Sequence, residues 1–363
     1  MKKIQVALKK ELNHYPKIKM YEKKQMKYFN LVAFFLLMMG LFVEYGYYST
    51  IGHLGTKIAY EIFKIHFTKL ILISGFAAVL DILLAFLSHH RPKNVKQVVN
   101  QLFERPALLF CMILVLMLSL DAPVSAFCIA TIIMTVMAQL TKKGGNPFPL
   151  HPIFIGYFVA VIGTYSVNYN FGIYQTPPMF MAPFMTSAQG AALLSYEEFT
   201  LSYYSLQTVI AGLFEGSLAG TLIIPLLISG VYLITRRCLD IRISGLYVLI
   251  YILISFSLGM LFKLESWMIV LFLLNGSVLI NAIFILPETK SLPQNKMVLY
   301  SYISGLAAST FLLSYYVHFI FGPYLALGVF QVFLGLARAI QKLIQRKHVK
   351  KEDGPIHSPK VAI

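Results

Sequence analysis

The sequence predicts an all-α integral membrane protein of about ten transmembrane helices. Three observations predict it: 58% of the residues are hydrophobic and only 13% charged, long apolar runs recur along the chain, and the basic residues flank these runs rather than interrupt them. With a mean hydropathy of +0.70, water is not the main solvent of this chain.

The runs fall at 29–48, 67–88, 106–120, 122–140, 152–169, 218–235, 243–262, 265–286, 298–316 and 322–343. Stretches such as 29–43 and 265–285 are too long and too poor in charge for the core helix of a soluble domain. The third and fourth runs are short, with Asp121-Ala122-Pro123 between them. They read either as two short spans meeting in a tight turn or as two segments that enter the membrane without fully crossing it. Residues 1–28 form a basic segment, 29–343 the membrane domain with its longest loop at about 170–217, and 344–363 a polar tail. The first run has a largely polar stretch before it and no small-residue cleavage site after it, so it is expected to stay as a helix.

The formal charge of +16 is topological. A nucleic-acid-binding protein needs its basic residues on a soluble domain, whereas here they alternate between loops. Placing the N-terminus in the cytoplasm puts all of the 31 Lys and Arg residues inside except Lys57, Lys64, Lys69 and Lys263. This obeys the positive-inside rule and predicts an even number of spans with both termini cytoplasmic. The loop at 170–217 lacks Lys and Arg and becomes the main external feature. The N-terminal segment is amphipathic enough to lie on anionic lipid, and it reads equally as a solvated positive-inside tail.

Among ionisable groups, Asp81 in FAAVLDILLAF is the clearest signal. An unpaired carboxylate at such a depth costs roughly 2.5–3.5 kcal/mol, so it must face the bundle, a partner or water. It is either a cation or proton relay or a hydrogen-bonded structural residue. Glu44 and Glu215 fall near the outer boundary. His89, His90 and His151 lack metal-site spacing and read as solvated interfacial residues. Cys111, Cys128 and Cys238 show no CxxC spacing and read as packing residues, so no metal site is predicted. Gly212-x-x-x-Gly216-x-x-x-Gly220 presents a face without side chains, suited to close helix packing or to contact with a cofactor.

At 142–157 the chain reads KKGGNPFPLHPIFIGY. Irregular backbone of this kind near a membrane is buried in protein or lines a cavity. The segment resembles the Gly-Gly…Asn-Pro-Phe-Asn-Pro-Ala segment of RnfD, a membrane component of Rnf-type electron-transport complexes, and of its relative NqrB in the Na⁺-translocating NADH:quinone reductase. Gly144, Gly145, Asn146, Pro147, Phe148 and Pro152 are its counterparts, and the second Asn is not retained. LMLSLDAPVSAF (116–127) is similar to the family's Leu-x-Leu-Pro-Pro-x-x-Pro turn. EGSLAGTLIIPLLISGVYLITRRCLDIRI (215–243) is similar to its Gly-Ser-x-Gly-Glu-Thr segment, followed by Leu-Gly-Gly-x-Tyr-Leu and a basic turn. Gly216, Ser217 and Thr221 match there, while Gly220 stands where the family usually has Glu. The resemblance runs from about residue 107 to the C-terminus.

The family's Ser/Thr-Gly-Ala-Thr motif holds FMN through a phosphoester to its last Thr. The matching stretch here is TSAQGAALL (186–194), in which Gly190 and Ala191 align with Gly-Ala and Ala192 takes the acceptor position. Alanine has no hydroxyl, so covalent FMN is not expected. What the resemblance leaves is FMN or riboflavin bound non-covalently. Ser187, Gly190, Ala191, Ala192, Gly216, Ser217, Thr221 and Asn146 are the candidate cofactor-binding residues, and Asp81 is the ion-path candidate. A second departure is Leu286-Pro287-Glu288, where the family has Thr-Asp-Pro.

The resemblance implies two five-helix repeats of inverted topology, related to urea and ammonium channels, in a bacterial inner membrane. It implies a component of a redox-driven ion translocase rather than a self-contained enzyme. Such a component relays electrons via flavin, with possible coupling to Na⁺ or H⁺. The implied partners are other membrane subunits and FMN-binding extracytoplasmic proteins, with no nucleic acid. The rival reading is a channel-like transporter of a small solute or a flavin without redox chemistry, which the same fold and Asp81 would serve.

Overall fold

A computed structural model describes residues 23–50, 55–87, 106–118, 122–143, 151–171, 222–262, 275–288, 295–316 and 321–352, with isolated positions at 269, 272, 273, 292 and 293. Everything described is helical or a helix junction. The helices are α1 (Lys23–Thr50), α2 (Gly55–Leu87), α3 (Pro106–Met117), α4 (Val124–Lys143), α5 (Pro152–Phe171), α6 (Ile223–Thr235), α7 (Ile241–Leu261), α8 (Gly276–Ile280), α9 (Lys296–Tyr316) and α10 (Phe321–Glu352).

Four of these, within α1, α2, α7 and α9, contain stretches long and apolar enough to cross a membrane, and six further apolar helices are shorter. Their outward faces carry residues such as Leu31, Phe34, Ile71, Leu83, Leu253, Phe256 and Phe333, all more than half exposed. So many large apolar side chains facing outward need lipid rather than water as solvent. The chain is a multi-pass membrane protein.

Helix α2 starts well before the run at 67–88. It has 33 residues, about 50 Å at 1.5 Å per residue, against a hydrocarbon layer of about 30 Å. Its first turns carry Lys57, Glu61 and Lys64, and the exposed Lys64 ammonium lies 4.0 Å from Glu61. A polar stretch that satisfies its own backbone and pairs its charges continues a helix beyond the apolar layer.

Helix α3 is the reverse case. It has 12 residues, about 18 Å. Every described residue from Ala107 to Leu118 is buried, and α1, α2, α4 and α5 all pack around it. A helix apolar on every side and enclosed by other helices is a core element, not a lipid-facing one.

The run at 265–286 is not one helix. Asn275 adopts an extended conformation and its side chain accepts a hydrogen bond from Ser277 N at 2.9 Å, starting α8 afresh. The helix then widens into a π turn over Asn281–Ile285 and tightens into a 3-10 turn over Leu286–Glu288. Pro287 supplies a cause: it has no N–H to donate one turn back, and its ring crowds the carbonyl there.

Some helix pairings recur at the same positions in the first five and the last five described helices. The first and third helices of each five pack together (α1 with α3, α6 with α8), as do the second and fourth (α2 with α4, α7 with α9) and the fourth and fifth (α4 with α5, α9 with α10). In each half the short third helix is nearly all buried and touches the fifth. Between the two sets of five, α1 packs against α6, and Phe29 on α1 also lies 5.9 Å from Phe284 of the π turn, as a ring-centroid distance. Tyr28 on α1 lies 6.3 Å from Tyr232 on α6, and Tyr157 on α5 lies 5.0 Å from Tyr324 on α10, as ring-centroid distances. Gly328 on α10 sits directly against the Phe154 ring of α5, where no Cβ fits.

The turn from α6 to α7 is fixed by local chemistry. Arg237 adopts a φ of 57°, its N–H donates to Ile234 O at 2.9 Å, and Cys238 N donates to Leu233 O at 2.9 Å. This left-handed closure satisfies two carbonyls of the last turn. Asp240 then caps α7, its Oδ1 accepting from Arg242 N at 2.9 Å.

Candidate functional site

Buried polar groups lie against both short helices, α3 and α8. Asp81 on α2 is 1% exposed, and its Oδ2 accepts a hydrogen bond from Leu108 N at 3.0 Å. Leu108 lies in the first turn of α3, where backbone N–H groups have no partner within the helix and Pro106 needs none. A carboxylate at this end also meets the positive end of the helix dipole. Nearby on the same packing surface, Cys111 Sγ donates to Ile73 O at 3.6 Å.

A second centre surrounds α8. The Tyr251 hydroxyl donates to the carbonyl of Phe272 at 2.9 Å, just before the helix break. Tyr247 and Thr310 hydroxyls lie 3.0 Å apart. Thr310 gives its own proton to Leu306 O at 2.7 Å, which makes Tyr247 the donor of the pair. Asn281, the first residue of the π turn, donates from Nδ2 to Pro323 O at 2.8 Å. Thus α7, α8, α9 and α10 are joined around the irregular helix by neutral hydroxyls and amides, whose burial is tolerable because they are paired.

On the seam between halves, His151 N donates to Gln331 Oε1 at 2.8 Å, while the ring Nδ1 of His151 accepts from Ile153 N at 3.2 Å. The ring also stands edge-on to Phe110 of α3 at 6.3 Å. His151 is 6% exposed, so the reading of it as a solvated interfacial residue is corrected: it caps α5 from within the protein. The partner that draws it inside, Gln331, is 180 residues away in the chain.

Sequence reasoning missed a further pair. His66 Nδ1 lies 2.9 Å from Glu44 Oε1, with both side chains largely shielded. The pair joins α2 to α1, and the same two helices also meet through Phe63, whose ring lies 6.0 Å from those of Phe42 and Tyr45. The available signal was a His close before the apolar run at 67–88, with a Glu near the end of the preceding run.

Of the candidate cofactor and ion-path residues, Asp81 on α2 is in the described structure, and its carboxylate meets the first turn of α3. Asn146, Ser187, Gly190, Ala191, Ala192, Gly216, Ser217 and Thr221 lie outside the described residues. So do His89, His90, Glu215 and the rest of residues 172–221. Among the described residues no group of three or more His, Cys, Asp or Glu side chains is placed to hold a metal ion. What the described centres offer chemically is one carboxylate on a helix end, one His–carboxylate pair and a set of neutral donors and acceptors.

No individual curated protein is significantly similar to the chain. The family model described as the NQR2, RnfD, RnfE family matches residues 16–349. That match takes in α1 and α2 as well as the motifs from residue 107 onward, and with nearly the whole membrane domain covered, the chain belongs to the NQR2, RnfD, RnfE family.

Proposed function

We propose that this chain is a membrane component of an Rnf- or Nqr-like electron-transport complex. It forms two five-helix repeats of inverted topology and takes part in electron transfer through a flavin that it does not hold covalently, coupled to Na⁺ or H⁺ movement. Its setting is a bacterial inner membrane, with other membrane subunits and extracytoplasmic FMN-binding proteins as partners. The family match over residues 16–349 carries this reading.

The helix pairing supports the repeat. Pairings that recur at the same positions in two sets of five helices are what a pseudo-twofold axis generates, and five helices per half make the second enter from the opposite side. A flavin, when bound, supplies the electron-accepting ring, and the chain supplies position and electrostatics. The residue chemistry of the loop does not fit a phosphoester, because Ala192 offers no oxygen where the family motif has Thr.

The test is purification from membranes with neighbouring subunits co-expressed, followed by absorbance spectra and a denaturing gel. The reading expects flavin absorbance that is lost on denaturation and a protein band without flavin fluorescence. Ala192→Thr, with a flavin transferase present, is expected to gain fluorescence. A fluorescent wild-type band carrying FMN on Thr186, Ser187 or Ser195 would overturn the non-covalent assignment. A colourless protein that moves a solute into vesicles without a redox partner would instead favour the transporter.

A further inference from the structure

Arg236, at the turn between α6 and α7, has no part in the redox reading. Its guanidinium carbon lies 5.6 Å from the ring centroid of Tyr28 and 5.4 Å from that of Tyr232. Tyr28 belongs to α1 and Tyr232 to α6, so the cation is held where the two halves of the protein meet. Ring contacts engage the face of a guanidinium, and its N–H donors point outward in the plane as a fork that matches phosphate oxygens. Among the described residues these donors have no acceptor. The described ion pairs, Lys64 with Glu61 and His66 with Glu44, lie elsewhere.

Three more cations accompany it. Arg237 and Arg242 on the same turn and Lys27, the residue before Tyr28, are exposed. The nearest acid in sequence, Asp240, has its Oδ1 on Arg242 N as the cap of α7. Leading into the turn, α6 exposes Ile224, Leu227, Ile228 and Val231, at 46–61%. Their spacing places them on one face of the helix. The stripe runs along a 13-residue helix, about 20 Å, and ends at Thr235 and Arg236. An apolar stripe that terminates in cations without an acid partner among the described residues matches the chemistry of an acyl chain joined to an anionic headgroup.

We propose that Arg236, with Arg237, Arg242 and Lys27, binds the phosphate of an anionic phospholipid whose acyl chain lies along the α6 stripe. The aromatic clamp selects the phosphate: it fixes the guanidinium in advance, so less ordering remains for the lipid to impose. Each Lys or Arg near an anionic membrane surface contributes roughly fivefold in binding. The same phosphate chemistry on a free anion lacks the stripe.

The test uses the full chain in mild detergent, with bound lipid counted by native mass spectrometry during titration with phosphatidylglycerol or phosphatidylcholine. Phosphatidylglycerol is expected to bind about tenfold more tightly or better. Arg236→Ala should lose about five- to tenfold of that affinity. Arg236→Lys should lose nearly as much, because an ammonium has no planar fork. Lys57→Ala, a basic residue elsewhere, should change nothing. Where Arg236→Ala does not fold, the double variant Arg237→Gly with Arg242→Ala leaves the clamp intact and should still weaken phosphatidylglycerol. Equal binding of the two lipids, or wild-type affinity in Arg236→Ala or in the double variant, overturns the site. Displacement of phosphatidylglycerol by inorganic phosphate at equal concentration assigns it to a free anion and overturns the lipid.

Discussion

The carboxylate of Asp81 accepts a hydrogen bond from the backbone N–H of Leu108 at 3.0 Å, so one side chain of α2 closes the first turn of the buried helix α3. Position and charge can be separated at this residue. Asp81→Asn keeps an oxygen acceptor for Leu108 and loses the charge. The variant is expected to insert, to lose at most about 1 kcal/mol of stability, and to be impaired in ion-linked electron transfer. Asp81→Ala leaves the buried N–H without its acceptor and should cost about 1–3 kcal/mol. Thermal unfolding in detergent gives the stability, and ion-dependent electron transfer in vesicles gives the activity. Full activity of Asp81→Asn would leave Asp81 as a cap alone.

Orientation is tested by reporter fusions. The charge pattern expects cytoplasmic signals at residues 95, 143, 240, 292 and 355 and external signals at 55, 190 and 263. A cytoplasmic signal at 190 would reverse the orientation and move the flavin loop to the wrong side together.

Gly328 packs against the Phe154 ring where an added Cβ would overlap ring atoms. Gly328→Ala is therefore expected to destabilise the protein by about 1–3 kcal/mol through overpacking. Combining it with Phe154→Leu should recover part of that loss, because the smaller side chain makes room. A thermodynamic cycle of the two variants measures the coupling. Additive losses would show that α5 and α10 do not approach here.

Cys238 is buried in the α6–α7 turn, and burial pushes its thiol up from the ordinary range while Arg236 pulls it back down. The thiolate is the reactive form, so below that pKa the labelling rate should rise about tenfold per pH unit. It should keep rising where an ordinary thiol has levelled off. Arg236→Ala removes the lowering charge and should slow labelling at a given pH. Labelling with a thiol-specific reagent across pH 7 to about 10.5 checks both. A rate independent of pH, or faster labelling in Arg236→Ala, would contradict the arrangement.

The apolar runs at 243–262 and 298–316 correspond closely to α7 and α9, because a helix in lipid must satisfy its own backbone and its length follows the layer it crosses. The short third run was legible from Asp121-Ala122-Pro123. The early start of α2 was not, since Lys57, Glu61, Lys64 and His66 read as a loop until their helix and pairings are seen. The break at Asn275 was hidden because apolarity alone does not distinguish a continuous helix from two pieces buried in protein. Sequence singled out Asp81 but not Leu108, 27 positions away. For the candidate flavin residues it supplied the chemistry of Ala192, which rests on one missing hydroxyl and needs no coordinates.

By itself the sequence determined that this protein lives in a membrane, where its helices begin to be possible, and that Ala192 cannot carry a phosphoester. These follow from transfer free energy, backbone hydrogen bonding and side-chain composition, all local properties of the chain. Only the tertiary structure decided that α3 is enclosed by other helices, that His151 turns inward to Gln331, that Glu44 meets His66, and that Arg236 sits between Tyr28 and Tyr232. Each of those depends on residues distant in the chain becoming neighbours, and which buried polar groups meet is set by the packing of whole helices rather than by any stretch of sequence.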